Sequence, residues 1–153
     1  MAENLSKRLR QKRFSSVFQQ AVLSVLVAAE EINRRHDVVC EQHGITLQQY
    51  NVLRILRGVY PGGHPRCDIM ERMIQRAPDV TRLINRLVEQ GYAVRGKSES
   101  DARLSLTFIT PKGTNLLTQI EPEIAKVERD VSSMLTKEQA KHLADVCDLL
   151  IRV

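Results

Sequence analysis

Residues 75–91, with the sequence QRAPDVTRLINRLVEQG, carry the strongest helical pattern in the chain. At about 100° per residue, one face collects the apolar side chains of Val80, Leu83, Ile84, Leu87 and Val88. Pro78 suits the first turn of this helix, and Gly91 ends it. A shorter helix with apolar Ile69, Met70 and Met73 precedes it. The spacing predicts two short helices joined by a tight turn.

Two short extended segments follow this pair of helices. Tyr92 to Lys97 forms the first, and Leu104 to Thr110 the second. In the second segment Leu104, Leu106 and Phe108 point one way, and Ser105 and Thr107 point the other. The polar run between the segments predicts a hairpin. Two short helices followed by a hairpin are the plan of a winged helix-turn-helix, so we expect a mainly α fold with a small β-hairpin wing.

Longer helical stretches flank this lobe on both sides. Helical spacing runs from Phe14 to a stop at Gly44, and Thr46 to Gln49 reads as a capping box. After Pro111 the helical pattern returns; Pro122 should kink or split it, and Thr136 to Gln139 predicts another capping box. We therefore expect a basic tail and dimerisation helix over 1–43, a DNA-binding lobe over 44–113, and dimerisation helices over 114–153.

The net charge of +5 is concentrated in two parts of the chain. Residues 44–113 carry eleven basic and six acidic residues, and the first 13 residues carry five bases and one acid. The segments 14–43 and 114–153 are each mildly acidic. A basic centre is typical of a module that binds a polyanion such as nucleic acid, although a basic solvated face is the other reading.

The exposed face of the helix over residues 75–91 offers groups that can read base edges. Arg82 can donate two parallel hydrogen bonds to a guanine, and Asn85 can pair with an adenine. Thr81 can contact a thymine methyl group or a phosphate, and Arg86 can neutralise a phosphate. The predicted DNA-binding residues on or beside this face are Pro78, Thr81, Arg82, Asn85 and Arg86. Surface ion pairs of the two arginines are the competing interpretation.

The hairpin supplies the remaining predicted DNA-binding residues, which are Arg95, Lys97, Asp101 and Arg103. An arginine at the tip, Arg103, can enter the narrow and negatively charged minor groove beside the helix. The carboxylate of Asp101 can bond local backbone N–H groups or hold an arginine such as Arg95. Either contact would stiffen the tip and so reduce the entropy lost on binding.

The run DIMERMIQRAPDVTRLINRLVEQGYAVRGKSESDARLSLTFITPKG resembles the winged helix-turn-helix of MarR-type transcriptional regulators. The specific parts are VTRLINRLVEQGYAVR, the D-x-R of Asp101 and Arg103, and LTFITPKG; the segment GITLQQYNVLRIL resembles the preceding helix. The resemblance covers roughly residues 14–153. It implies a homodimer that binds a pseudo-palindromic double-stranded DNA operator. It also implies that a small ligand or oxidation often weakens DNA binding in such proteins.

Two features depart from the family's pattern. Ala102 stands where the family often has the first of two adjacent arginines, so wing contact rests on Arg103. The tail SKRLRQKR lies outside the core pattern and could contact phosphates or only solvate a frayed end. Ligand sites in the family lie between the dimer helices and the DNA-binding lobe. His36, Arg35 and Tyr50 are near that junction in sequence, although a lone histidine near a helix end is more often a cap or surface residue.

The expected function is therefore a dimeric transcriptional regulator, a repressor, in the cytoplasm. We expect no enzyme, because the chain lacks G-x-S-x-G, H-E-x-x-H, P-loop and dinucleotide motifs, and we expect no cofactor, metal or membrane partner. A redox sensor acting through Cys67 is one alternative, since this residue falls near the start of a helix. We expect Cys147 to be packed and Cys40 to lie near a helix end. A winged helix that binds proteins rather than DNA is the other alternative.

Overall fold

The computed structural model describes residues 3–98, 101 and 103–151. Within these ranges the chain is mainly helical with one antiparallel hairpin, as the sequence predicted. The elements in chain order are α1 (Glu3–Leu9), α2 (Val17–Gln42), α3 (Leu47–Arg57), α4 (Arg66–Arg72), α5 (Val80–Glu89), β1 (Ala93–Lys97), β2 (Ser105–Ile109), α6 (Pro111–Ser132) and α7 (Lys137–Asp148).

Local signals in the sequence define most helix ends. Thr46 and Thr136 each form a capping box, with Gln49 and Gln139 respectively, so both predicted boxes are confirmed. Gly91 follows the last turn of α5 with φ of +76°, a conformation that favours glycine. Gly44 does the same after α2, with φ of +74°. Both glycines therefore end their helices as expected.

One hydrophobic core joins the end of α2 to α3, α4, α5, the hairpin and α6. The largest fully buried side chains belong mostly to these elements: Leu53 and Leu56 of α3, Ile69 of α4, Ile84 and Leu87 of α5, and Leu117 and Ile120 of α6. Because α3 contacts α2, α4, α5, β2 and α6, its position decides where the α5 helix and the hairpin lie.

The basic segment at the N-terminus is not a frayed tail where the structure describes it. Residues 3–9 form helix α1, and Leu5 is buried. Arg8 Nη2 lies 3.7 Å from Glu30 Oε2 of α2. The acidic residues that follow in α2 therefore attract this basic segment, and one leucine anchors it. The expectation of a frayed N-terminal end was therefore wrong for these residues.

Helix α6 continues through Pro122 rather than splitting there. The residues on either side of this proline both pair with other helices. Glu121 accepts a hydrogen bond from Arg57 of α3, and Glu123 Oε1 lies 2.8 Å from Nε2 of His43 after α2. These two contacts connect α6 to α3 and to the end of α2 on either side of the proline.

The outer parts of the terminal helices keep large apolar side chains on the surface. On α2 the exposed set is Val17, Phe18, Val22 and Leu26, and near the C-terminus it is Met134, Leu143, Val146, Leu149, Leu150 and Ile151. None of the residues of α7 is buried. Nothing within the described residues covers these surfaces. No helix in the described part of the chain is long and apolar enough to cross a bilayer.

Candidate nucleic-acid interface

Helix α5 is strongly amphipathic, as its sequence predicted. Its residues Val80, Leu83, Ile84 and Leu87 are buried, whereas its polar residues Thr81, Arg82, Asn85 and Arg86 are exposed. The helix begins at Val80, after Pro78, which was expected in its first turn. Asp79 is the N-cap, with Oδ1 accepting from the Arg82 N–H at 2.9 Å, so exposed Pro78 precedes the cap instead of occupying the first turn.

The connection between α4 and α5 is longer than the predicted tight turn. It spans residues 73–79, because α4 ends at Arg72 and Met73 turns into an extended conformation. Asn51 of α3 then holds the chain, since its Oδ1 accepts from the Ile74 N–H at 3.0 Å. A side chain from the preceding helix therefore fixes the approach to α5, a contact that the local sequence could not reveal.

The two strands of the hairpin pair in antiparallel register, from Ala93 opposite Ile109 to Lys97 opposite Ser105. The predicted alternation is present, but the most deeply buried face carries Thr107 and Ile109, whereas Leu106 and Phe108 are half-buried. The reason is His64, whose backbone pairs with Thr107 on the open edge of β2, with N–O distances of 3.0 and 2.9 Å. The hairpin thus rests against the segment before α4.

Hydrogen bonds join the described residues at the tip of the hairpin. Asp101 Oδ1 accepts from the Arg103 N–H at 2.9 Å, and the Asp101 carbonyl accepts from the Leu104 N–H at 3.0 Å. Of the two contacts expected for Asp101, the structure has the bond to the local backbone and not the pair with Arg95. The Arg103 side chain is exposed at this tip. Ala102, where the sequence departs from the family pattern, lies outside the described residues.

A hydrogen bond joins the exposed face of α5 to the wing. Arg95 Nη2 of β1 donates to Asn85 Oδ1 of α5 at 2.6 Å. Both groups are on the surface, so this bond brings the helix face and the first strand of the hairpin onto one continuous surface. The sequence placed both residues among the DNA-binding candidates but did not predict that they would bond to each other.

The other cationic side chains of this surface are exposed and unpaired. Arg82, Arg86, Lys97 and Arg103 make no side-chain hydrogen bond or ion pair with any other residue in the described part of the chain. The surface ion pairs proposed as the competing interpretation of Arg82 and Arg86 are therefore absent within these ranges. Unpaired cations beside one another are suited to a polyanionic partner.

Sequence reasoning missed one candidate, Arg76, in the connection before α5. Its side chain is exposed, and within residues 3–98, 101 and 103–151 it has no ion-pair partner. The QRAPD sequence could have pointed to it, because a base directly before a helix N-terminus lies where phosphates are bound. By contrast, Lys112 is engaged, with Nζ donating to the Gln90 carbonyl at 2.7 Å.

A cavity of about 160 Å³ lies between α2, α3, the connection 73–79 and α6. His36 and Tyr50 line it, as their position in the sequence suggested. Arg35 is not part of the lining; it pairs instead with Glu31, with 3.1 Å between Nε and Oε1. Burial lowers the pKa of His36 and raises that of Tyr50.

The three cysteines occupy different environments. Cys40 is buried, and burial followed by the charges of Asp37 and Glu41 raises the pKa of its thiol to about 12. Cys147 is partly buried, and Cys67 is exposed near the start of α4. The Cys67 thiol lies 3.5 Å from Oδ1 of Asp68.

Comparison with known proteins agrees with this geometry. Residues 43–104, which span the lobe from α3 to the wing tip, match the model of the MarR family. The regulator MhqR of Bacillus subtilis is 25% identical over 114 residues, which cover 74% of this chain and 77% of that protein. The homoprotocatechuate degradative operon repressor of Escherichia coli is 23% identical over 132 residues, 84% of this chain and 86% of that protein.

A solved structure shares the fold over nearly the whole chain. The structure of Sco3205, a MarR family transcriptional regulator from Streptomyces coelicolor in complex with DNA, superposes with a TM-score of 0.78. The sequences are 22% identical, and the match covers 92% of this chain and 89% of that one. The match to the family model over residues 43–104, the similar regulators and the shared winged helix-turn-helix together make this chain similar to the transcriptional regulators of the MarR family.

Proposed function

We propose that the chain acts as a homodimer that binds a pseudo-palindromic operator in double-stranded DNA and represses transcription from it. The observation that carries this proposal is the surface built from α5 and the wing. Its cations Arg82, Arg86, Lys97 and Arg103 have no acidic partner within the described residues, and the Arg95–Asn85 bond joins its two parts. The name of the Escherichia coli relative supports repression.

Each part of this surface has a separate role in the proposal. Helix α5 enters the major groove, where Arg82 reads guanine and Arg86 neutralises a phosphate. Asn85 can read adenine only if its Oδ1 accepts from the base, and in the free protein Arg95 occupies this atom. DNA binding therefore exchanges the Arg95–Asn85 bond, which frees Arg95 to contact a phosphate. Arg103 at the wing tip enters the adjacent minor groove.

The apolar surfaces of the terminal helices support the proposed dimer. A single soluble chain rarely leaves a continuous apolar surface in water, and here such residues are on both α2 and α7. A twofold partner would cover both, because the same surfaces meet in a symmetric pair. The two copies of α5 would then lie about 34 Å apart, one turn of DNA.

A ligand in the cavity between α2, α3 and α6 would change this spacing and release the operator. We place this activity in the cytoplasm.

Selection of bound sequences from a random duplex pool tests the proposal directly. We expect a palindrome whose half-sites are one or more helical turns apart. Arg82→Ala should cost about 1–3 kcal/mol on the selected operator and relax the preference at one base pair. Arg129→Ala, which removes an exposed arginine of α6, is the matched control and should leave binding unchanged.

Two further measurements separate this function from the alternatives. A steep fall of affinity with salt marks phosphate contacts, and a winged helix that binds only proteins would give no such slope on random duplex. Light scattering should give a dimer for the wild-type chain, and Phe18→Asp should weaken it by placing a charge in the apolar surface of α2. Val94→Asp, at an exposed valine of β1, serves as the control. A monomer that ignores duplex DNA at low salt would refute the proposal.

A further inference from the structure

A hydrogen bond on the surface of α5 and the wing limits which hydrogen bonds Asn85 can make to a base. Arg95 Nη2 donates to Asn85 Oδ1 at 2.6 Å. A guanidinium carries N–H donors and no acceptor, so the atom that it contacts must be the amide oxygen and not the amide nitrogen. No other described residue accepts a hydrogen bond from Asn85 Nδ2. The amide of Asn85 therefore has an occupied acceptor and free donors.

Packing holds both ends of this bond in place. Ile84, which precedes Asn85 in α5, is buried in the core. Arg95 stands opposite Thr107 in the hairpin, and the backbone of Thr107 pairs on its other side with that of His64. The bond thus joins two elements that the core already fixes, and only the two side chains lose conformational freedom when it forms.

The purine bases differ in what they require from an asparagine in the major groove. Adenine presents the N6 amino donor beside the N7 acceptor, so an amide reads it by accepting and donating together. Guanine presents O6 and N7, which are both acceptors. With its oxygen occupied, the amide of Asn85 can donate to guanine. It can bond with N6 of adenine only by sharing its oxygen or releasing it from Arg95.

Sharing the oxygen between Arg95 and adenine is unfavourable. A carbonyl oxygen can accept two hydrogen bonds, but the first donor here is a cation. Hydrogen bonds from a charged donor are roughly twice as strong as those between neutral groups. The hydrogens of the adenine amino group carry partial positive charge, so they are repelled by the guanidinium at the same oxygen. Reading adenine therefore exchanges a charged hydrogen bond for a neutral one.

We propose that Arg95 is a positioning residue that sets the base preference of Asn85: it weakens the reading of adenine and leaves the reading of guanine intact. The inference rests on the proposed function, because it concerns how α5 reads the operator. Phosphate contact by Arg95 does not alter the preference. The bond to Asn85 uses only one guanidinium nitrogen, so the other N–H groups can reach a phosphate whichever base is present.

The test measures dissociation constants by fluorescence anisotropy for operators that differ at one base pair, the pair whose preference is lost in Asn85→Ala. At this pair the constant for adenine is divided by the constant for guanine, in wild type and in Arg95→Met. Methionine keeps a long side chain but removes every donor. The ratio should fall about fivefold or more in Arg95→Met, the effect of one net hydrogen bond, because the freed oxygen can accept from N6. An unchanged ratio would overturn the inference.

Two further variants separate this effect from a simple loss of charge. Lys97→Met removes an exposed cation from the same strand and should weaken binding to both operators equally, which leaves the ratio unchanged. When Arg95→Met is combined with Asn85→Ala, the ratio should equal that of Asn85→Ala alone, because Arg95 acts through Asn85. A ratio that changes with Lys97→Met, or an effect of Arg95→Met that persists without Asn85, would refute this role of Arg95.

A change in the DNA gives a second measurement that needs no protein variant. The unsubstituted base purine keeps N7 of adenine but lacks the N6 amino group. In the wild-type chain, purine in place of adenine at this pair should leave the affinity nearly unchanged, relative to the same replacement outside the half-sites. In Arg95→Met the replacement should weaken binding about fivefold. A similar loss in wild type would show that N6 is bonded despite Arg95, against the inference.

The outcomes distinguish this inference from the proposed function on which it rests. If the chain binds a palindromic operator but Asn85→Ala loses no base preference, the role of Arg95 fails and the regulator remains. The same holds if the ratio in Arg95→Met equals that of wild type. A chain that binds no duplex at low salt refutes both.

Discussion

The carboxylate of Asp101 offers a sharp test of how the wing tip works. Its Oδ1 accepts the Arg103 N–H at 2.9 Å, and both residues are exposed. On DNA, this acid should have two opposing effects. Its hydrogen bond holds the tip in one conformation and so reduces the entropy lost on binding, whereas its negative charge is repelled by the phosphates.

Two substitutions separate these effects. Asp101→Asn and Asp101→Ala both remove the charge, but only asparagine keeps an oxygen that can accept the Arg103 N–H. The difference between the two variants therefore isolates the hydrogen bond. A net hydrogen bond at an exposed position is worth about 1 kcal/mol, so the alanine variant should bind the operator about fivefold more weakly than the asparagine variant.

Fluorescence anisotropy with the selected operator, at several salt concentrations, measures the dissociation constants of the two variants. The salt slopes of the two variants should be equal, because both lose the same charge. Thermal unfolding should be unchanged, since the side chain is on the surface. Equal affinities for the two variants, or tighter binding by the alanine variant, would show that the tip needs no internal hydrogen bond and would refute the reasoning.

Three other predictions concern stability and reactivity. Leu53→Ala should lower the free energy of unfolding by about 2–5 kcal/mol in a urea titration, because the leucine is fully buried at the centre of the core. The hydrogen bond from Arg57 lowers the pKa of Glu121 below its ordinary value of 4.5, so this ion pair stabilises the fold above about pH 4.5 and the effect is lost as the pH falls through the lowered pKa. Glu121→Gln should therefore cost less than about 1 kcal/mol at pH 7, since solvent screens this partly exposed pair, and equal stabilities of variant and wild type at both pH 7 and pH 3.5 would contradict this. A thiol reagent should label Cys67 rapidly in the native chain and Cys40 only on unfolding, and rapid labelling of Cys40 would contradict its burial.

The helix boundaries that were predicted correctly depend on residues within a few positions of each other. The capping box of Thr46 with Gln49 joins residues three apart, and Gly44 ends α2 through its own backbone conformation. The buried face of α5 follows from the helical period alone. Such signals act through local geometry, and they remain valid whatever the rest of the chain does.

The predictions that failed concern contacts between residues far apart in sequence. The connection between α4 and α5 is seven residues long because Asn51, 23 positions before Ile74, holds it. Thr107 is buried because the backbone of His64 pairs with it. The basic segment at the N-terminus is a helix because Leu5 finds a buried site and Arg8 an acidic neighbour on α2. The local sequence carries no signal for any of these.

The sequence by itself determined the order of the elements, the amphipathic pattern of α5 and the set of basic residues on its exposed face and on the wing. Those properties depend on side-chain type and spacing along one helix or strand. Only the tertiary structure decided that Arg82 and Arg86 have no acidic partner within the described residues, that Asn85 is bonded to Arg95, and that His36 faces a cavity with Nε2 unpaired. The reason is physical: whether a polar group is paired depends on the distances between elements, and packing sets those distances.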